Sequence, residues 1–148
     1  MTRFAFFEGK IRPIEDARVS VMTHAFNYGT GWFGGLRGYW NEEQAQLYVF
    51  RIQAHYRRFL NSGRILFADP GYSAEQLADI TLDLLHREGS RQACYIRPLA
   101  YTADEIIGVR LPALHHARGL FGIAHQHDLE FAEFDDSLAS EMDERGET

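Results

Sequence analysis

Phe4-Ala5-Phe6-Phe7-Glu8 is a short apolar run broken by Gly9-Lys10, after which Ile11-Arg12-Pro13 begins again. Two such stretches around a turn signal predict a hairpin, closed by Pro13 because proline cannot donate to a ladder. Asp16 to Met22 alternates enough to predict a further strand, and His24 to Tyr28 predicts one helical turn. Leu36 to Trp40 and Leu47 to Phe50, joined by Asn41-Glu42-Glu43-Gln44, predict a second hairpin. The period then changes. Ile52, Tyr56, Phe59, Leu60 and Phe67 recur at helical spacing, and Gln53, Arg57, Arg58, Asn61 and Arg64 fall largely off that face.

Asp69-Pro70-Gly71 stops this helix, and Ser73 with Gln76 three residues later is a capping-box pattern that starts another. Leu77, Ile80, Thr81, Leu84 and Leu85 form its apolar stripe, and Gly89 is a natural terminator. Ala93 to Tyr101 returns to period two, which puts Tyr95, Arg97, Leu99 and Tyr101 on one face and Cys94, Ile96 and Ala100 on the other. Strands, two helices and then a strand predict an α+β layout with both helices packed on one sheet. After about Leu114 the pattern changes to scattered histidines, His115, His116, His125 and His127, and then to acids, with no sustained period. The expectation is an organised domain over 1–114 and a divergent, disordered acidic tail over 115–148.

Composition narrows the class. A chain of 148 residues with 45% hydrophobic and 24% charged residues is one globular domain by size. The formal charge of -6 is uneven: residues 128–148 hold nine acids against Arg145, and the remainder is slightly basic, which is no nucleic-acid footprint. No apolar run is long enough to span a bilayer and the N-terminus lacks signal-peptide form, so the expected compartment is the cytoplasm. Cys94 is the single cysteine, which excludes an intramolecular disulfide. Of 15 basic residues all but Lys10 are arginine.

Gly29-Thr30-Gly31-Trp32-Phe33-Gly34 matches G-x-G-x-x-G, but no buried strand precedes it and a strand rather than a helix follows, so a dinucleotide site is not expected. His125-Gln126-His127 beside Asp128 has metal-ligating residue types, yet a polar tail holds such residues by chance and no metal is expected. Arg97 is different. It stands in a strand otherwise made of Ile96, Pro98, Leu99 and Ala100, where burying a bare charge is costly, so a partner or an anionic ligand is expected.

His24 through Arg37, Arg51 through His55 to Arg58, and Tyr95-Ile96-Arg97-Pro98-Leu99 closely resemble the N-terminal domain of class IV aminotransferases, most of all the branched-chain amino-acid aminotransferases. The resemblance runs from about Phe4 to Leu114. It implies an antiparallel-rich sheet with two helices on one face, the cofactor pyridoxal 5'-phosphate, and transfer of an amino group between leucine, isoleucine or valine and 2-oxoglutarate. It further implies that Arg58 binds the cofactor phosphate. By the same resemblance Phe33, Gly35, Arg37, Tyr95 and Arg97 are expected to surround the substrate, with Tyr95 and Arg97 receiving its carboxylate. It also implies that Tyr28 and Val109 enter the pocket of a neighbouring subunit, and so a homo-oligomer.

The match has departures. Many relatives carry glutamate where this chain has Gly34. The family's covalent cofactor lysine belongs to a second domain, and Lys10 matches the N-terminal hairpin instead, so no catalytic residue is assigned and the 148 residues alone are expected to be inactive. From His115 on the sequence does not resemble the family's next strand and reads as a truncated or frame-shifted continuation. The alternatives are a non-catalytic dimerisation module, or a fragment of a related class IV enzyme such as a D-amino-acid transaminase or aminodeoxychorismate lyase.

Overall fold

In a computed structural model, the described residues are 3–108 together with the backbone of 119–126. The chain runs β1 (Phe4–Phe7), β2 (Lys10–Pro13), a 3-10 turn (Ile14–Asp16), α1 (His24–Tyr28), β3 (Gly31–Phe33), β4 (Leu36–Asn41), β5 (Gln46–Val49), α2 (Ile52–Ile65), α3 (Ala74–Glu88), β6 (Cys94–Tyr101) and β7 (Gly119–Gln126). The strands form one antiparallel sheet in the order β2-β1-β7-β6-β4-β5, with β3 also paired to β6. The α+β reading holds.

Both helices cover one face. Tyr56 and Phe59 of α2 and Leu77, Ala78 and Leu85 of α3 pack in one cluster with Phe6, Trp32, Leu36, Cys94, Ile96 and Ala100 of the sheet. Each fully buried aliphatic side chain of this kind is worth about 1.5–3 kcal/mol over its exposed state. α3 starts as its sequence dictates. The Gln76 amide donates to Ser73 Oγ at 3.2 Å and the Ser73 amide to Gln76 Oε1 at 2.8 Å, closing the capping box. Gly89 ends the helix with φ of 61°.

α2 docks on β3 through a close approach. Trp32 Nε1 donates to the Phe59 carbonyl at 3.0 Å, and a Cβ on Gly63 would lie 2.5 Å from Trp32 Cζ2. Only glycine lets the indole lie this near the helix.

Three expectations are corrected. Asp16 to Met22 is not a strand. The segment turns on itself through local bonds instead, Ala17 N–H to the Ile14 carbonyl, Arg18 N–H to the Asp16 carbonyl and Thr23 N–H to the Ser20 carbonyl. Phe67 does not belong to the apolar stripe of α2. The helix ends at Ile65, where the Leu66 and Ala68 amides both turn back to the Gly63 carbonyl, and Phe67 stands fully exposed at φ of 56°.

The third correction concerns the chain after Leu114. β7 lies there, in the interior of the sheet, pairing with β1 from Ala5 to Phe7 and with all of β6 from Cys94 to Tyr101. Gly119 to Ala124 is a nearly unbroken apolar run without alternation, so periodicity gave no strand signal there.

Candidate functional site

β3 and β4 are one strand interrupted at Gly34-Gly35. Both segments pair with β6, β3 opposite Leu99 to Tyr101 and β4 opposite Cys94 to Ile96, and the Gly34 amide donates to the Pro98 carbonyl at 2.8 Å across the break. A cleft of about 240 Å³ opens against this interruption, lined by Phe33, Gly34, Gly35, Leu36 and Pro98 on the sheet and His55, Arg58, Phe59 and Ser62 on α2.

Arg58 is the charge of the cleft. Its Nη2 donates to His55 Nδ1 at 3.4 Å, and among the described residues no carboxylate lies within ion-pair distance of it. Ser62, one turn on, donates its hydroxyl to the Arg58 carbonyl at 3.1 Å. Arg57, next in sequence, points outward and donates to Gln53 at 3.2 Å. Burial, then the charges of Arg58 and Arg51, hold the His55 imidazole below its ordinary pKa, favouring the neutral ring beside the guanidinium. Sequence reasoning assigned Arg58 and missed His55 and Ser62. The signal was available as spacing, because residues 55, 58 and 62 share one helical stripe.

The opposite, helix-free face of the sheet carries the other expected residues. The strand alternation is as read from Cys94 to Ala100: Cys94, Ile96 and Ala100 are buried under the helices, and Tyr95, Arg97 and Leu99 are more open, while Tyr101, expected with the latter, is buried. Arg37 stands opposite Tyr95 in the β4–β6 register, with its guanidinium carbon 5.4 Å from the centre of the Tyr39 ring. Tyr95 reaches diagonally over Gly35, where a Cβ would sit 2.6 Å from the tyrosine oxygen.

Arg97 corrects one premise. It is exposed rather than buried, so no burial cost calls for a partner. Its guanidinium carbon lies over the Phe33 ring, 4.1 Å from the centroid. Phe33 is thus shared, since it also lines the Arg58 cleft and an apolar groove of about 410 Å³ with Val19, Phe26 and Leu99.

Tyr28 ends α1 beside that groove, its ring 4.6 Å from the ring of buried His24. Val109 lies outside the described residues. His24 itself was not singled out from sequence. Its Nδ1 meets Thr30 Oγ1 at 2.8 Å and its Nε2 the Gly108 carbonyl at 3.0 Å, tying α1 to the segment after β6.

The donor set fits one end of a phosphorylated cofactor. An exposed guanidinium at a cleft mouth suits a phosphate, and about 240 Å³ is smaller than the few hundred Å³ of a whole-ligand pocket. Lys10, the single lysine, lies on β2 at the sheet edge, with β1 and β7 between it and β6. These residues therefore fit the phosphate and not a carbonyl held on lysine. Among the described residues no three His, Cys, Asp or Glu side chains gather as a metal site, and His127 and Asp128 lie outside them. No helix among the described residues is long and apolar enough to cross a membrane.

No family model matches the chain. A probable branched-chain-amino-acid aminotransferase of Aquifex aeolicus is 52% identical over 101 residues, 68% of this chain and 32% of that protein. The branched-chain aminotransferase of Thermoproteus uzoniensis, solved with norvaline, superposes with a TM-score of 0.75 at 34% identity, over 84% of this chain and 40% of that one. The branched-chain amino acid aminotransferase of Thermobaculum terrenum, solved in its PLP-form, gives 0.70 at 25% identity, over 84% and 40%. The chain spans about a third of the length of the curated relatives it matches.

Proposed function

The chain belongs to the class IV branched-chain aminotransferases, whose N-terminal part it matches, and we propose from this that it supplies the phosphate-binding and carboxylate-binding side of a transaminase site. The observation that carries the reading is the Phe33-Gly34-Gly35 interruption. One side of it lines the cleft of Arg58, and the other carries Arg97 on Phe33 and Tyr95 over Gly35. On this reading the Arg58 guanidinium takes the phosphate, and the Tyr95 phenol and the Arg97 guanidinium take the carboxylate.

Pyridoxal 5'-phosphate, when bound, supplies an electron sink for the negative charge that forms at a substrate Cα. The chain's own residues bind and orient. Arg58 neutralises the phosphate in fork geometry, Tyr95, Arg97 and Arg37 receive the carboxylate, and Phe33 walls the side that takes an aliphatic side chain. Leucine, isoleucine and valine, with 2-oxoglutarate as acceptor, are the proposed substrates, in the cytoplasm. Because Lys10 is remote from this site, the 148 residues by themselves bind without turning over.

A homo-oligomer is part of the proposal. Val19, Phe26 and Phe33, which line the apolar groove, are 48%, 74% and 61% exposed, an unusual concentration for a lone surface. A second copy would cover it, with Tyr28 and Val109 reaching the neighbour's site. The decisive experiment compares pyridoxal 5'-phosphate with unphosphorylated pyridoxal by equilibrium binding to this chain. Preference for the phosphorylated form that Arg58→Ala abolishes supports the reading, and equal affinity for the two compounds overturns it.

A further inference from the structure

Two arginines stand side by side on α2, and each is held by a residue of its own helix. Arg57 donates to Gln53 on the outer surface, and Arg58 donates to His55 on the cleft side. A guanidinium can only donate, so His55 Nδ1 must be the unprotonated nitrogen, with the hydrogen on Nε2. His55 and Arg58 both line the cleft, and the Arg58 carbonyl is fixed from below by the Ser62 hydroxyl.

We propose that His55 is a positioning residue for this cleft: its neutral imidazole takes one guanidinium hydrogen and aims the rest of the Arg58 fork at a bound phosphate. The inference deepens the reading of the cleft as a phosphate site and rests on it. An unheld arginine at a surface samples many rotamers, and ordering it on binding costs entropy that a local acceptor has already absorbed.

The charges around the ring agree with this. Arg58 and Arg51 are the cations acting on His55. Across the cleft β3, β4 and β6 present Phe33, Gly34, Gly35, Leu36 and Pro98, none of which titrates. Nothing on those walls competes for the imidazole or draws a proton onto it.

The test is titration of this chain with inorganic phosphate, followed by amide shifts at Gly35 and Ser62, in the wild type, His55→Leu, His55→Asn and Arg58→Ala. In His55→Asn the amide oxygen stands where Nδ1 stood, so it keeps the acceptor without the ring. Losing one such hydrogen bond should weaken phosphate about fivefold in His55→Leu, and His55→Asn should stay within about twofold of wild type. Unfolding midpoints of the variants separate this from general loosening. His55→Leu binding like wild type, or His55→Asn binding as weakly as His55→Leu, overturns the positioning role while leaving the phosphate cleft intact. A wild type that does not respond to phosphate, or an Arg58→Ala variant that binds it as the wild type does, overturns the cleft reading and the role of His55 with it.

Discussion

The hydroxyl of Tyr95 occupies the space where Gly35 would carry a side chain, 2.6 Å from an added Cβ, and Gly63 faces an equally tight 2.5 Å approach from Trp32. The two glycines nevertheless predict different outcomes. Over Gly35 the obstructing atoms are the end of a tyrosine on the open face, which can swing away. Over Gly63 they are a buried indole and, at 2.9 Å, the Ala68 carbonyl.

Gly35→Ala should therefore leave stability within about 1 kcal/mol of wild type, the smaller unfolded-state entropy offsetting the displaced ring. Gly63→Ala gains about 1 kcal/mol of helix propensity but overpacks the α2–β3 contact by up to about 3 kcal/mol, for a net loss near 2 kcal/mol. Urea unfolding of the two variants checks the contrast. Equal losses would mean that Tyr95 is as rigid as Trp32.

Arg97 over Phe33 predicts a measurable coupling. Both side chains are solvated, so the interaction should be worth about 0.5–1 kcal/mol in a double-mutant cycle of Phe33→Leu and Arg97→Gln. The same pair should govern anion recognition on that face more than stability. Removing Phe33 leaves the charge in place and frees its direction, so carboxylate binding should weaken in Phe33→Leu with little change in unfolding midpoint. A coupling of zero would show that the stacking does not hold the guanidinium.

How much of this was legible depended on whether a signal was local. The caps of α3, the helical turn at His24, the hairpin of β4 and β5 and the face assignment of β6 from Cys94 to Ala100 are set by neighbours in sequence, and all were readable. Arg97 was placed on the correct face but with the wrong burial, because a strand's flanking apolar residues do not reveal whether the opposite face is covered. The pairing of Gly63 with Trp32 and of Gly35 with Tyr95 depends on tertiary approach, which no periodicity encodes. His55 lay within a recognised stretch, and its role emerges only from the side on which the cleft opens.

Tyr56 gives a prediction in pH. Thr81 Oγ1 donates to the Leu77 carbonyl at 2.8 Å, so it accepts from the Tyr56 hydroxyl, which is the donor of that pair. Tyr56→Phe leaves Thr81 satisfied and should cost only about 1 kcal/mol at neutral pH. Burial raises the Tyr56 phenol above its ordinary 10.0, outweighing the hydrogen bond to Thr81. The unfolded chain then loses this proton first as pH rises past 10.0, so the Tyr56 contribution is constant below that value and lost above it. Tyr101, also raised by burial, is retained in the variant. The alkaline fall in stability of wild type minus that of Tyr56→Phe isolates Tyr56, and identical slopes above pH 10 would refute the assignment.

The place of β7 carries the last prediction. A chain cut after Leu114 keeps every element recognised from the sequence pattern, and by that reading it should fold. In the structure it loses a strand bonded to β1 on one side and to β6 on the other, which splits the sheet into two pieces. Both pieces would expose a full row of unpaired backbone donors and acceptors, with α3 straddling the gap because it packs on β1 as well as β7. Residues 1–114 should therefore aggregate or unfold without cooperativity, and residues 1–127 should unfold in a single urea transition. A cooperative transition in the shorter chain would mean that β1 and β6 can pair directly, and that the strand between them is dispensable to the site they frame.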